Sequence, residues 1–302
     1  MDTRPITPER LAQSVIAVPP LARDGQSQVD REQNQRLIRH IESGGVNILL
    51  YGGNANFYHI RPSEYAATLQ MLADAAGPET LIVPSAGPAY GLSLDQAEVL
   101  RDFAFPTAMV LPHTGLNTPS GVETGIRRFA EAYGKPVVLY IKAEGYINPD
   151  GAARLVNDGL ISWIKYAIVR QNPSEDPFLS ELTQKVSGSI IVSGIGEQPA
   201  IVHLRDFGCN GFTSGCVCVA PSLSQKMLGA IKSGDWQTAE EIRQTFQPLE
   251  DLRNAINPVR VLHEAVALAG IADTGEILPL LSGLDEAQRN TVGAAAQALK
   301  AK

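Results

Sequence analysis

Lys165 stands alone in an apolar, β-branched and aromatic run, Ile161-Ser162-Trp163-Ile164-Lys165-Tyr166-Ala167-Ile168-Val169. A lysine held inside a strand must be paired, neutral or functional. Burying its charge costs several kcal/mol and usually depresses its pKa. A neutral amine is a nucleophile, and its natural target is a carbonyl. The other reading of the run is a lysine that snorkels from a strand end to solvent. One strand earlier, Pro136-Val137-Val138-Leu139-Tyr140 ends on a tyrosine, and Lys142 follows two residues on. That spacing puts Tyr140 and Lys142 on one face of a strand. An ammonium close to Lys165 would help to keep it neutral, and a phenol can pass protons.

The elements that must position these groups recur along the chain. Strand-like runs fall at Ser14–Pro20, Asn47–Gly53, Thr80–Ala86, Thr107–Pro112, Pro136–Ile141, Ile161–Ile168, Ser189–Ile195 and Gly211–Val217. Helical patterns fill the gaps. Asp30 to Gln33 and Ser93 to Gln96 read as capping boxes. Thr118-Pro119, Asn148-Pro149 and Asn257-Pro258 each place a cap residue before a proline suited to a first helical turn. Strands alternating with helices in this way predict an α/β fold, a parallel (β/α)8 TIM barrel over residues 1–233. A doubly wound dinucleotide fold would carry a glycine-rich fingerprint after its first strand, and none is present. After Gly234-Asp235 the strand signals stop. Three helices at about 235–254, 258–270 and 285–300 predict a C-terminal extension, 234–302, packed on the barrel. Its expected role is packing or oligomer contact.

Composition narrows the partners. The chain has 302 residues, 44% of them hydrophobic and 19% charged, so a large core is expected and disorder is not. A formal net charge of -7 argues against nucleic acid and anionic membrane as partners. The first residues lack an apolar secretory segment, and no apolar run approaches the roughly 18 residues of a membrane span. Cys209, Cys216 and Cys218 have no framework spacing and read as buried thiols, the latter pair sharing a face of a strand-like run. A cytoplasmic location is expected.

In a barrel of this kind the reacting groups come from the C-terminal ends of the strands and the loops after them. Those positions offer Gly53 and Asn54, His113 and Thr114, Tyr140 and Lys142, Lys165, Gly194 and Thr213. His113 reads more readily as a hydrogen-bonded loop histidine than as a catalyst. Glu197 reads as a first-turn helix carboxylate. A divalent-metal barrel would place two or three His, Asp or Glu at these ends, so no metal is expected.

The chain resembles the class I aldolases and dehydratases typified by dihydrodipicolinate synthase and N-acetylneuraminate lyase, from about Ser14 to its end. Gly45-Val46-Asn47-Ile48-Leu49-Leu50-Tyr51-Gly52-Gly53-Asn54 sits where that family has its glycine-rich carboxylate loop. Tyr140 matches its proton-relay tyrosine and Lys165 its Schiff-base lysine. Ser193-Gly194, the Gly211–Pro221 segment and Pro258-Val259-Arg260-Val261-Leu262-His263 are similar as well. The family's Gly-Thr-Thr-Gly-Glu loop reads Gly52-Gly53-Asn54-Ala55-Asn56 here. Its second relay tyrosine is replaced by His113-Thr114, and the arginine expected five residues after the first is Gly145. The pattern Gly52-Gly53-x-x-x-Phe57-x-x-Ile60-x-Pro62-x-Glu64-Tyr65, with Lys142 after Tyr140, is closer to the 5-dehydro-4-deoxyglucarate dehydratase branch. The resemblance implies a lyase that holds a 2-oxo acid, such as pyruvate or a keto-deoxy sugar acid, as an imine on Lys165. It implies no cofactor beyond that imine. Gly53, Asn54, Lys142, His113, Thr114, Gly194 and Thr213 would bind substrate, and the assembly would be a homodimer or homotetramer. Two readings stand beside it: dihydrodipicolinate synthase proper, and a 2-oxo-acid-binding barrel that has lost its proton relay.

Overall fold

The computed structural model describes residues 1–302. Its sheet consists of β1 (Ile16–Ala17), β2 (Ile48–Leu50), β3 (Leu81–Val83 and Ser85–Ala86), β4 (Met109–Val110), β5 (Val137–Ile141), β6 (Ile161–Tyr166), β7 (Ile191–Ser193) and β8 (Gly211–Ser214). Every pairing in it is parallel. β3 falls into two segments because Pro84 has no N–H to give the ladder. Leu81–Val83 pairs with β2, and Ser85–Ala86 pairs with β4. The interruption therefore lies where the sheet passes from one neighbour to the other. With β8 beside β1, the eight strands close into a barrel with helices between them.

The ladders are shorter than the apolar runs that predict them. Burial continues past their ends, as parallel strands covered on both faces require. The last run changes character. Ser214 Oγ accepts the amide of Val217 at 3.0 Å, and Cys216–Cys218 turns into a 3-10 helix. Cys216 and Cys218 therefore do not share a strand face. Both are fully buried free thiols, and Cys209 is buried too.

Most of the expected caps form. Asp30, Thr118 and Asn257 accept first-turn amides, whereas Asn148 caps without a side-chain bond. The expected cap at Ser93 does not form. The helix there spans Tyr90–Arg101, and Ser93 lies inside it, donating to Tyr90 O. Gln96 instead accepts the buried amide of Gly87 at 2.7 Å, so its side chain satisfies a loop rather than a helix end.

Three helices close the chain, Trp236–Ala255, Pro258–Leu268 and Glu286–Lys300, within a residue or two of expectation. Trp236–Ala255 lies on Pro221–Ser233 and Ala200–Asp206. Phe246, Leu249, Val261 and Leu262 join the same apolar core as the barrel. Gly215 makes this approach possible, because a Cβ there would lie 2.1 Å from Leu262 Cδ1.

Candidate active site

Register builds the centre of the site. Tyr140 on β5 and Lys165 on β6 are direct partners across the ladder. Lys165 Nζ sits 4.4 Å from the centroid of the Tyr140 ring. Lys165 is only 4% exposed and Tyr140 8%. Burial first, then the charges of Lys142 and Arg253, pull the Lys165 ammonium down to about 7. Burial pushes the Tyr140 phenol up to about 12, against the opposing pull of Arg253. The amine is thus available at neutral pH, while the phenol keeps its proton. Snorkelling does not describe this lysine.

The amine needs room, and Gly194 at the end of β7 provides it. A Cβ on Gly194 would lie 2.9 Å from Lys165 Cγ and 2.9 Å from Tyr166 O. Lys165 Nζ opens into a chamber of about 240 Å³ at the C-terminal ends of the strands. Gly53, Asn54, Lys142, Gly194 and Thr213 all line it with Lys165 and Tyr140. Lys142 stands exposed at the mouth, with its pKa lowered by desolvation. No Asp or Glu lines the chamber, so its charged groups are all basic.

The loop after β2 supplies a second feature. The backbone amides of Gly53 and Asn54 donate to nothing in the protein. Adjacent free amides beside a chamber suit a carboxylate. The Asn54 side chain is committed elsewhere, donating to Val18 O at 3.0 Å across to the end of β1. This bond holds the loop in place and ties up the carboxamide.

The structure does not bring His113 and Thr114 to this chamber. Thr114 is exposed. His113 lines a neighbouring cavity of about 570 Å³ together with Tyr146. Their loop carries them outward past Pro112, so proximity in sequence to the end of β4 does not become proximity to Lys165. Glu197 also differs from expectation. It precedes the helix Ala200–Asp206 and is fully buried, accepting from Ser214 Oγ at 2.8 Å and Ser224 Oγ at 2.7 Å. Burial, then nearby Glu250, pushes its carboxyl up to about 8.

Sequence reasoning missed the groups that the extension contributes. Arg253, Asn254 and Asn257 line the chamber from above. Arg253 Nη2 donates to Ile195 O at 2.5 Å and to Glu250 at 2.8 Å, which fixes the guanidinium beside the chamber. A signal was present in the spacing. Ile242, Phe246, Leu249 and Arg253 follow at 4, 3 and 4 residues, so Arg253 falls on the buried stripe of its helix. Tyr58, on the turn Phe57–His59, also lines the chamber and was not singled out.

A buried amine over a tyrosine, facing a basic chamber in a parallel barrel, can add to the carbonyl of an anionic small molecule. The model of the dihydrodipicolinate synthetase family matches residues 12–299. The chain belongs to that family. Membership in the dihydrodipicolinate synthetase family makes it a lyase-type enzyme acting on a 2-oxo acid through a lysine imine. Among relatives, a probable 5-dehydro-4-deoxyglucarate dehydratase of Rhizobium meliloti (strain 1021) is 27% identical over 276 residues, 83% of this chain and 88% of that protein. A 4-hydroxy-tetrahydrodipicolinate synthase of Methanosarcina barkeri is 23% identical, over 87% of this chain and 89% of that one. The fold matches the crystal structure of dihydrodipicolinate synthase from Bacillus clausii with a TM-score of 0.85 at 20% identity, covering 95% and 98% of the two chains. A prophage protein of the same family from E. coli K12, solved in complex with pyruvate, matches with a TM-score of 0.82 at 20% identity, again over 95% and 98%. The eight-stranded barrel expected of a family member is the one observed.

Proposed function

We propose that the chain is a dehydratase of 2-oxo sugar acids that carry a second anionic group, working through a Schiff base on Lys165. The observation that carries this reading is the buried Lys165 amine, held over Tyr140 in a chamber whose only charged groups are cations. The similarity to 5-dehydro-4-deoxyglucarate dehydratases favours loss of water over aldol cleavage.

In this reading the free amides of Gly53 and Asn54 hold the carboxylate next to the reacting carbonyl. Lys142 and Arg253 face the far end of the substrate. The Lys165 amine adds to C2. Tyr140 gives its proton to the carbinolamine hydroxyl, which leaves as water, and the iminium forms. The resulting phenolate takes a C3 proton, giving an enamine. The enamine expels the C4 hydroxyl, which takes the same proton back from Tyr140 and departs as water. Water then adds to C2 of the conjugated iminium and gives a proton to the Tyr140 phenolate, and collapse of the carbinolamine releases the unsaturated 2-oxo acid and restores the amine. Every proton taken up is returned, and the cycle uses no cofactor beyond the imine. Gly194 and Thr213 shape the chamber around the substrate, while His113 and Thr114 stand outside it.

The same reading takes residues 1–233 as the barrel that carries the amine and 234–302 as the extension that roofs the chamber. It places the protein in the cytoplasm, in keeping with three free thiols, as a homodimer or homotetramer. No helix is long and apolar enough to cross a membrane. The test is turnover of keto-deoxy sugar acids by the unaltered protein and by Lys165→Ala. Loss of turnover with the fold intact is expected, and turnover by the variant would sink the mechanism.

A further inference from the structure

The proposed cycle balances its protons at Tyr140, but exchange of those protons with solvent needs a route of its own. Tyr140 both gives and takes protons, yet it is buried, and a bound substrate fills the chamber in front of it. Exchange with solvent while substrate is bound therefore calls for a second group behind it. Of the other hydroxyls lining the chamber there are two, Thr213 and Tyr58. Thr213 is buried on β8 and does not titrate in the working range.

Tyr58 is placed differently. It sits on the turn that follows the free amides of Gly53 and Asn54. That turn is tied to the glycines by Phe57 N donating to Gly52 O and Asn56 N donating to Gly53 O. Its hydroxyl has a single protein partner, Pro112 O at 3.5 Å, long for an O–H···O bond. The Tyr58 hydroxyl is therefore only loosely engaged by the protein and free to turn toward another partner. Pro112 is followed by His113, which lines the neighbouring cavity with Tyr146. His113 Nδ1 is buried there without a partner. Burial, then Tyr140 and Tyr146, disfavours ionisation of Tyr58, so the three phenols share one neighbourhood.

We propose that Tyr58 relays protons for Tyr140, linking the Lys165 chamber to the outer cavity lined by Tyr146 and His113. The relay moves protons only, from one phenol oxygen to the next, and consumes no other reactant. Tyr58 acts through Tyr140 rather than on the substrate carbon. The proposal rests on the imine reading above.

The test separates imine formation from proton transfer. Pyruvate is incubated with the protein in deuterated buffer, and exchange of its C3 protons is followed by NMR. In parallel, the imine on Lys165 is trapped with borohydride. Tyr58→Phe keeps the ring and loses only the hydroxyl. Trapping should stay within about twofold of the unaltered protein, while exchange falls by at least about tenfold. Added imidazole should restore part of the exchange in Tyr58→Phe, an effect that lost packing would not show. Tyr146→Phe, one phenol farther out, should slow exchange in the same direction. Exchange by Tyr58→Phe within twofold of the unaltered protein would overturn the proposal. An unaltered protein that forms no adduct would overturn the imine reading, and this relay with it.

Discussion

Replacing Lys165 by methionine should make the protein more stable, and by an amount that depends on pH. The fold holds this ammonium at about 7, against an ordinary value of 10.5. Above about pH 10.5 the amine is neutral in both folded and unfolded chains, and its burial carries no charge penalty. As pH falls, the unfolded amine takes a proton that the folded one refuses. Folding then loses about 1.4 kcal/mol for each pH unit between those two values. Below about pH 7 both states are protonated and the loss levels off. At about pH 7.5 it amounts to roughly 4 kcal/mol. Methionine keeps an unbranched stem in the same space and has no proton to lose. Lys165→Met should therefore gain up to about 4 kcal/mol near neutral pH, and the gain should shrink to its pH-independent packing part above about pH 10.5. Thermal unfolding of both proteins across that range reads it directly, as a melting-point difference of several degrees that closes as pH rises. A difference that stays flat from about pH 7 to 10 would refute the reasoning, because the fold would not then disfavour the charged amine.

Other outcomes follow from the same geometry. Tyr140→Phe should lower turnover by about 10²- to 10⁴-fold while leaving pyruvate trapping on Lys165 measurable, as single-turnover assays would show. Lys142→Met should raise KM by about tenfold for 2-oxo acids with a second carboxylate and change it little for pyruvate; steady-state kinetics on the two substrates checks this. It should also move the trapping rate profile toward higher pH, since one of the charges that depresses Lys165 is gone. Gly194→Ala puts a methyl into the space of Lys165 Cγ and should cost about 1–3 kcal/mol of stability and at least about tenfold in turnover, read by melting and by kinetics.

How much of this was legible depends on the range of the interaction. The barrel was readable because each strand is buried on both faces and writes a continuous apolar run. Lys165 was readable for the same reason, as the one cation in such a run, and register alone then placed Tyr140 beside it. The end of β8 was not readable, because the turn at Ser214 depends on a side-chain bond to Val217 that an apolar run conceals. The place of His113 and the role of the Asn54 side chain were not readable for a related reason. Both lie next to strand ends, but one loop swings outward past Pro112 and the other is pinned by Asn54 to Val18 O. Arg253 came from the farthest range of all. It lies 88 residues beyond Lys165 and reaches the chamber only because Gly215 lets the last helices settle on the barrel. Its place on an apolar stripe gave a warning that a buried charge needs a partner, and Glu250 is that partner.

The central claim is a covalent bond between Lys165 and a 2-oxo acid. Borohydride reduction in the presence of pyruvate, followed by peptide mass spectrometry, tests it most directly. The account predicts a pyruvate-sized adduct on the peptide that carries Lys165, forming faster as pH rises through about 7, where that amine loses its proton. A folded protein that stays unmodified with pyruvate and with longer keto-deoxy sugar acids, or that carries the adduct on another lysine, would contradict it.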